Sequence, residues 1–248
     1  LAIAAAVYGF KFQIYNDFTG YTDIARGTGR LLGYEFPINF RSPFKAATIA
    51  DYWRRWHITM GSWFRDYVFF PLGGSKGGLA KTCRNTFITM ALVGLWHGAA
   101  WTFVLWGCYH GTLLSLSIAK NFVRARLRPD APTGPDGWSP TGHFLRVALM
   151  FHVTMLGGLI FRAPDLETTG EMVRRLLHVV PGSTVDPRLA AVIVVAFCLH
   201  FVPDRVKENI EDWFTDLHPL LQGVLAALVI ALLVTIVGQT QPYYYFQF

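Results

Sequence analysis

Eight histidines occur in this chain of 248 residues, and one has a setting that suits proton transfer. His97 lies in GLWHGAAWTFVLWGCYHG, residues 94–111, between small residues and three tryptophans, Trp96, Trp101 and Trp106. Gly94, Gly98 and Ala99 leave room for another backbone or a ligand to come close. The indoles are suited to wall a water-poor passage. An imidazole stripped of water favours its neutral form, which is the form a general base or nucleophile requires. The indole N–H groups or the Tyr109 hydroxyl are candidates to hold an oxyanion. His110 follows thirteen residues later, which on one continuous helix is about 20 Å away; a sharp turn between the two would bring them closer. His143, His152, His178, His200 and His218 read as core or surface residues. Of these, His152 and His200 stand inside apolar segments, where ionisable groups are costly and often functional.

A second constellation is ADYWRRWHITMGSWFRDYVFFPLGG, residues 50–74. Arg54, Arg55, His57, Arg65 and Asp66 are interleaved with Trp53, Trp56, Trp63 and Tyr67. Helical spacing puts Trp53, Trp56 and Met60 on one face, continued by Trp63 and Tyr67. Such a basic, aromatic segment either lies at a headgroup interface or forms a mouth for an anionic donor, where guanidinium forks bind phosphate. A third stretch, YNDFTGYTDIARGTGRLLGYEFPINFRSP, carries Asp17 and Asp23. Asp23 is spaced to pair with Arg26 on one helical turn, and Asp17 or Thr19 is placed to cap a helix end. The chain has no GxxxxGK[ST], GxGxxG after a strand, HExxH or GxSxG, which removes support for nucleotide hydrolysis, zinc proteolysis and soluble-type serine hydrolysis.

The elements that must position these groups are helical and apolar. The composition is 52% hydrophobic and 15% charged, against about a quarter charged in soluble domains. Spans are expected over 1–15, within 86–119, and over 142–161, 188–202 and 220–238, giving an all-α, polytopic transmembrane bundle. The block 86–119 is too long for one crossing, so either a long broken helix or a pair of helices fits. Residues 16–85 suit short amphipathic or re-entrant helices, and their excess of ten Lys/Arg over three acids between positions 26 and 84 favours the cytoplasmic side. A Pro/Gly linker is expected over 129–141, and a capped amphipathic helix after Phe161, started by Asp165 or Thr168/Thr169 ahead of Glu171. The net charge of +6 suits an anionic leaflet better than nucleic acid. Cys83, Cys108 and Cys198 form neither a disulfide framework nor a metal spacing. The chain opens inside an apolar run without Met, as a truncated sequence would, and QPYYYFQF reads as a natural terminus.

Five segments together resemble a known family: DFTGYTDIARGTGRLLGYEFPINFRSPF, DYWRRWHITMGSWFRDYVFFPLGGSKGG, GLWHGAAWTFVLWGCYHG, FRAPDLETTGEM and YYYFQF. They resemble the membrane-bound O-acyltransferases, in particular the bacterial alginate O-acetylation branch, which is itself similar to the D-alanyl transferases of teichoic acid assembly. The resemblance implies one membrane domain over 1–248, the C-terminal portion of a protein roughly twice as long. It implies His97 as the essential catalytic residue, His57 as a motif residue near a cytoplasmic funnel, and His110 as a further motif histidine. Arg54, Arg55, Trp56, Arg65, Asp66, Trp96, Trp101 and Tyr109 are the associated substrate-binding candidates. It further implies no bound cofactor or metal, an acyl donor such as acetyl-CoA or another thioester, and an exported polysaccharide acceptor. A periplasmic acetyltransferase or esterase partner, polysaccharide assembly machinery and a multi-pass place in the bacterial inner membrane complete the expectation. Two rival readings remain at this stage: a transporter or channel subunit without bond-forming chemistry, and metal or haem ligation by His57, His97 and His110.

Overall fold

The structure is a computed structural model and describes residues 2–129, 137–178 and 184–237. Among these residues every regular element is helical. The first helix, α1, runs over Ala2–Leu31 without the break expected near residue 15. Val7, Phe10, Ile14, Phe18 and Thr22 are buried along it. Their spacing of three or four residues carries one packed face straight through the polar stretch. Asp17 and Thr19 are therefore mid-helix and cap nothing. Asp23 and Arg26 pair at 3.1 Å as their spacing suggests. Gly33, at φ 82°, stops α1, and the Tyr34 amide turns back to donate to the Gly29 carbonyl at 2.9 Å.

The aromatic stretch folds into short pieces. A 3-10 turn at Pro43–Lys45 leads to α2, Ile49–Arg55, whose first turn is capped by Thr48 accepting from the Asp51 amide at 3.1 Å. The chain then breaks at His57 and restarts as α3, Ile58–Phe64. The apolar face expected to run from Trp53 to Tyr67 is split there. Trp56 and Met60 are buried, whereas Trp63 and Tyr67 are exposed. A π-helical turn, Arg65–Phe69, precedes the glycine-rich turn at 73–78. Asn85, fully buried, holds that turn by donating to the Leu72 and Gly74 carbonyls at 3.0 and 2.9 Å.

Helices α4, Leu79–His97, and α5, Trp101–Leu127, form an antiparallel hairpin across the short turn 98–100. This decides between the two forms expected for 86–119 in favour of a helix pair. Its two strands of contact are specific. Near the open end, Ser115 donates to the Cys83 carbonyl at 3.1 Å. Toward the turn, Gly94 and Gly107 face each other, and a Cβ on Gly107 would lie 3.1 Å from the Gly94 Cα and closer still to the Met90 carbonyl oxygen. Only glycine permits that approach.

Helix α6, Pro140–Arg162, packs on α1 and α5 and is capped at its start by Ser139. Helix α7, Leu166–Leu177, is capped by Asp165, which accepts from the Thr168 amide at 2.7 Å. Helices α5 and α6 are long and apolar enough to cross a membrane. Residues 130–136 of the expected linker lie outside the described residues.

The chain divides into two compact units, 1–193 and 194–248. Helix α8, Pro187–Phe201, is shorter than a single crossing requires. It bends by 87° into the amphipathic α9, Asp204–Thr215, and the two together meet the length and hydropathy of one span. In the second unit, Gln222 donates to the carbonyls of Phe214, Thr215 and Leu217, tying α9 to α10, Pro219–Val237. α10 is apolar on all sides, as suits a helix that meets hydrocarbon or further protein. The aromatic tail expected as a terminus lies outside the described residues.

Candidate active site

His97 is the last residue of α4, and the hairpin turn sets where its ring points. Gly98 follows because a Cβ there would sit 2.6 Å from the Phe103 ring. The imidazole is enclosed by the rings of Trp96 at 4.9 Å, Trp106 at 5.2 Å, Phe161 at 5.1 Å and Phe103 at 6.3 Å between centroids. It is half-buried, and no described residue hydrogen-bonds to either ring nitrogen. The ring is thus neither sealed in packing nor turned wholly outward.

His110 is buried to 1% exposure and its ring also contacts Trp106, 4.9 Å from that indole. The hairpin thus brings both histidines against one indole. His110 also stands edge-on to Trp53 at 5.2 Å and nearly parallel to Tyr52. Its Nε2 fills the place a side chain on Gly157 would take, 2.7 Å from where that Cβ would be. Neither of its ring nitrogens has a partner, and the same is true of the indole nitrogens of Trp53 and Trp106 and of Nδ1 of His57. Buried polar atoms are nearly always satisfied, so a concentration of orphans around one ring stack is the mark of a place for a polar guest.

His57 joins this cluster through backbone geometry. It occupies the left-handed region at φ 45°, a conformation costly for a non-glycine residue. The corner is held by Asn39, whose carbonyl takes the Ile58 amide at 3.0 Å and whose side chain takes the Thr59 amide and hydroxyl at 3.1 and 2.7 Å. The kink aims the imidazole at Phe18, 4.7 Å away, and toward Trp96 at 6.3 Å.

Beside the cluster lies a cavity of about 310 Å³, lined among others by Trp53, Arg54, Met60, Arg65 and Val93. Trp53 is its shared wall with His110, and Val93 precedes His97 by one helical turn. Arg54 has most of its side chain exposed and only a loose 3.8 Å approach to Asp51, so its fork is available to a guest. Other candidates are occupied. Arg55 is held by Asp51 at 3.0 Å and by the Arg41 carbonyl at 3.2 Å. Arg65 binds Asp66 with two hydrogen bonds, at 2.8 and 3.2 Å, which hold the Asp66 carboxyl below the usual carboxylate range.

Two candidates take other positions than expected. Trp101 starts α5 with 73% of its surface exposed and walls no passage within the described residues. The Tyr109 hydroxyl donates to the Val153 carbonyl at 2.9 Å, linking α5 to α6, so its proton is not directed at a reacting oxygen. Among the described residues no group of three His, Cys, Asp or Glu side chains could hold a metal ion.

One residue was passed over in the sequence. Lys11 is 5% exposed, with its ammonium 4.2 Å from the Trp56 ring centroid and 5.8 Å from that of Tyr52. The signal was there, a lone lysine within the first apolar run. The cost of intramembrane charge, weighed for the histidines, applies to it equally.

Comparison with known proteins bears on this arrangement. The family model described as MBOAT, membrane-bound O-acyltransferase family, matches residues 1–154. A probable alginate O-acetylase from Azotobacter vinelandii is 43% identical over 163 residues, which cover 66% of this chain and 30% of the relative. A peptidoglycan O-acetyltransferase from Helicobacter pylori is 36% identical over 168 residues, covering 68% and 30%. A teichoic acid D-alanyltransferase from Bacillus subtilis is 31% identical over 162 residues, covering 62% and 40%. The matched segment thus spans well under half the length of each of these relatives.

Proposed function

Since the chain belongs to the membrane-bound O-acyltransferase family, we propose that it carries the histidine centre of an enzyme that moves an acyl group, acetyl in this reading, from a thioester to a hydroxyl. The observation that carries the proposal is the His97 ring: partly open, hydrogen-bonded to no described residue, and set among aromatic walls one helical turn beyond a cavity lined by the largely exposed Arg54 guanidinium. In this mechanism the acceptor hydroxyl binds against His97, which takes its proton as the oxygen attacks the thioester carbonyl. The C–O bond forms, the carbonyl becomes an oxyanion, and collapse breaks the C–S bond. The proton held on His97 then passes to the departing thiolate. The indole N–H of Trp106, which has no partner and whose ring contacts His97, is a candidate donor to that oxyanion. Arg54 supplies a fork for phosphate on the donor, which suits acetyl-CoA or another phosphate-bearing thioester.

The acceptor in this reading is an exported polysaccharide, reached with a periplasmic partner, and the site is the bacterial inner membrane. The names of the alginate, peptidoglycan and teichoic acid relatives support that class, and the two span-length apolar helices support the membrane setting. The test is His97→Ala in the full-length protein in its native membrane. Ester on the exported polysaccharide is expected to fall by about two to four orders of magnitude, with membrane insertion unchanged. Normal ester content in that variant refutes the assignment.

A further inference from the structure

Helices α5 and α6, both long and apolar enough to cross a membrane, run antiparallel. Phe103 and Trp106 meet Phe161, whereas Tyr109 and His110, further along α5, meet Val153 and Gly157, earlier on α6. This register brings cations of both helices to one level. Lys120 lies ten residues beyond His110 on α5, and Arg146 lies eleven residues before Gly157 on α6. Each is about 15 Å along its helix from the His110–Gly157 contact. Past Lys120, α5 continues for about two turns, carries Arg124 and Arg126, and ends on Arg128 at its C-cap. Lys120, Arg126, Arg128 and Arg146 are all exposed. The Arg126 guanidinium stands 4.2 Å over the Phe122 ring, and that of Arg146 stands 4.3 Å over the Trp138 ring, so two of the charges are held on aromatic faces.

Acids are scarce at this end. Between Asp66 and Asp165 the chain holds only Asp130 and Asp136, both in the segment that joins α5 to α6. The opposite end of α5 begins with the exposed Trp101, and from Trp101 to Ala119 the helix has no Lys, Arg, Asp or Glu. That stretch is about 28 Å long, close to the hydrocarbon thickness of about 30 Å. A tryptophan at one limit and a lysine at the other mark the two headgroup layers. The basic end of the helix pair therefore stands at the level of lipid phosphates, where guanidinium and ammonium groups find their strongest acceptors.

We propose that Lys120, Arg126 and Arg128 on α5 and Arg146 on α6 form a binding surface for anionic phospholipid headgroups. The cations donate to headgroup phosphate oxygens, and the net negative charge of the lipid offsets a rim whose own chain supplies few acids. The occupant is lipid rather than an acidic protein or a nucleic acid because the rim begins where the uncharged stretch of α5 ends. Held at that level, the His110–Gly157 contact lies about 15 Å deep, near the middle of the hydrocarbon. Lipid bound at the rim thus fixes the depth of the ring cluster. The proposal requires the membrane setting and does not depend on acyl transfer.

The test uses the full-length protein in lipid nanodiscs, with spin-labelled phosphatidylglycerol and spin-labelled phosphatidylcholine as probes at low and high salt. Wild type is compared with a variant carrying Lys120→Gln, Arg126→Gln, Arg128→Gln and Arg146→Gln. A second variant keeps the charges, with Lys120→Arg, Arg126→Lys, Arg128→Lys and Arg146→Lys. Wild type is expected to hold phosphatidylglycerol about fivefold or more over phosphatidylcholine at low salt, and the preference shrinks as salt rises. The Gln variant loses the preference, and the charge-keeping variant retains most of it. Equal binding of the two lipids by wild type, a preference indifferent to salt, or a Gln variant with the full preference overturns the proposal. So does a charge-keeping variant no better than the Gln variant, which would assign the rim to shape. Displacement of labelled phosphatidylglycerol by added polyglutamate or RNA would assign the rim to a soluble acidic partner and overturn the lipid assignment. The salt titration of wild type needs no substitution, so the test stands even where a variant fails to fold.

Discussion

Replacing Gly107 by alanine tests whether hairpin closeness sets the position of His97. A Cβ at Gly107 would stand 3.1 Å from the Cα atoms of both Ala91 and Gly94, and nearer still to the Met90 carbonyl oxygen. Carbon atoms in contact normally sit about 3.5–4.0 Å apart, and the neighbours here are backbone, which cannot rotate away. Helices α4 and α5 would therefore have to separate by about 1 Å. Overpacking of this kind costs roughly 1–3 kcal/mol. His97 lies one turn beyond Gly94 on α4, whereas Trp106 is on α5, so the separation acts directly on their 5.2 Å contact. A displacement of about 1 Å at a reacting group can cost on the order of a hundredfold in rate. The assay is ester formation by the full-length protein, with thermal unfolding in detergent as a parallel measurement. The expected result is a rate loss of one to two orders of magnitude, larger than the stability change accounts for. Full activity at unchanged thermal stability would show that the glycine contact does not hold the site.

Two further substitutions separate packing from chemistry. Tyr109→Phe removes the hydroxyl that donates to Val153; thermal unfolding should record a loss of about 1 kcal/mol, while kcat stays within about twofold, and a collapse in kcat would return the hydroxyl to the chemistry. His57→Asn should leave the left-handed corner within about 1 kcal/mol of wild type, because asparagine tolerates that region, whereas His57→Val should lose roughly 1–2 kcal/mol more. Equal unfolding midpoints for the two variants would mean that the backbone there relaxes.

The setting of the candidate residues was more legible than the elements that carry them. The setting of His97 among small residues and indoles was local, so the sequence displayed it directly, and the capping aspartate of α7 was legible for the same reason. The helical character of the chain was also plain, since apolar runs of that length have few alternatives. Less visible were features decided by distant contacts. The polar half of α1 stays helical because Phe18 and Thr22 continue its buried face, and only the packed partners reveal that face. The break at His57 depends on Asn39, nearly twenty residues upstream, so helical periodicity ran straight through it. Tyr109 and Trp101 were placed near the site by proximity in sequence, but side-chain direction on α5 sends one to Val153 and the other outward. Lys11 was hidden by its surroundings: a single lysine in an apolar run draws little notice until its neighbours are known.

Because α4 ends on His97, the imidazole stands among the last carbonyls of the helix, which lack onward amide donors within it. Their aligned dipoles make that end of the helix partially negative. In the acyl-transfer reading, a base seated there is helped at the moment it becomes a cation. The end of α4 thus favours positive charge on the very ring that its aromatic surroundings would keep neutral.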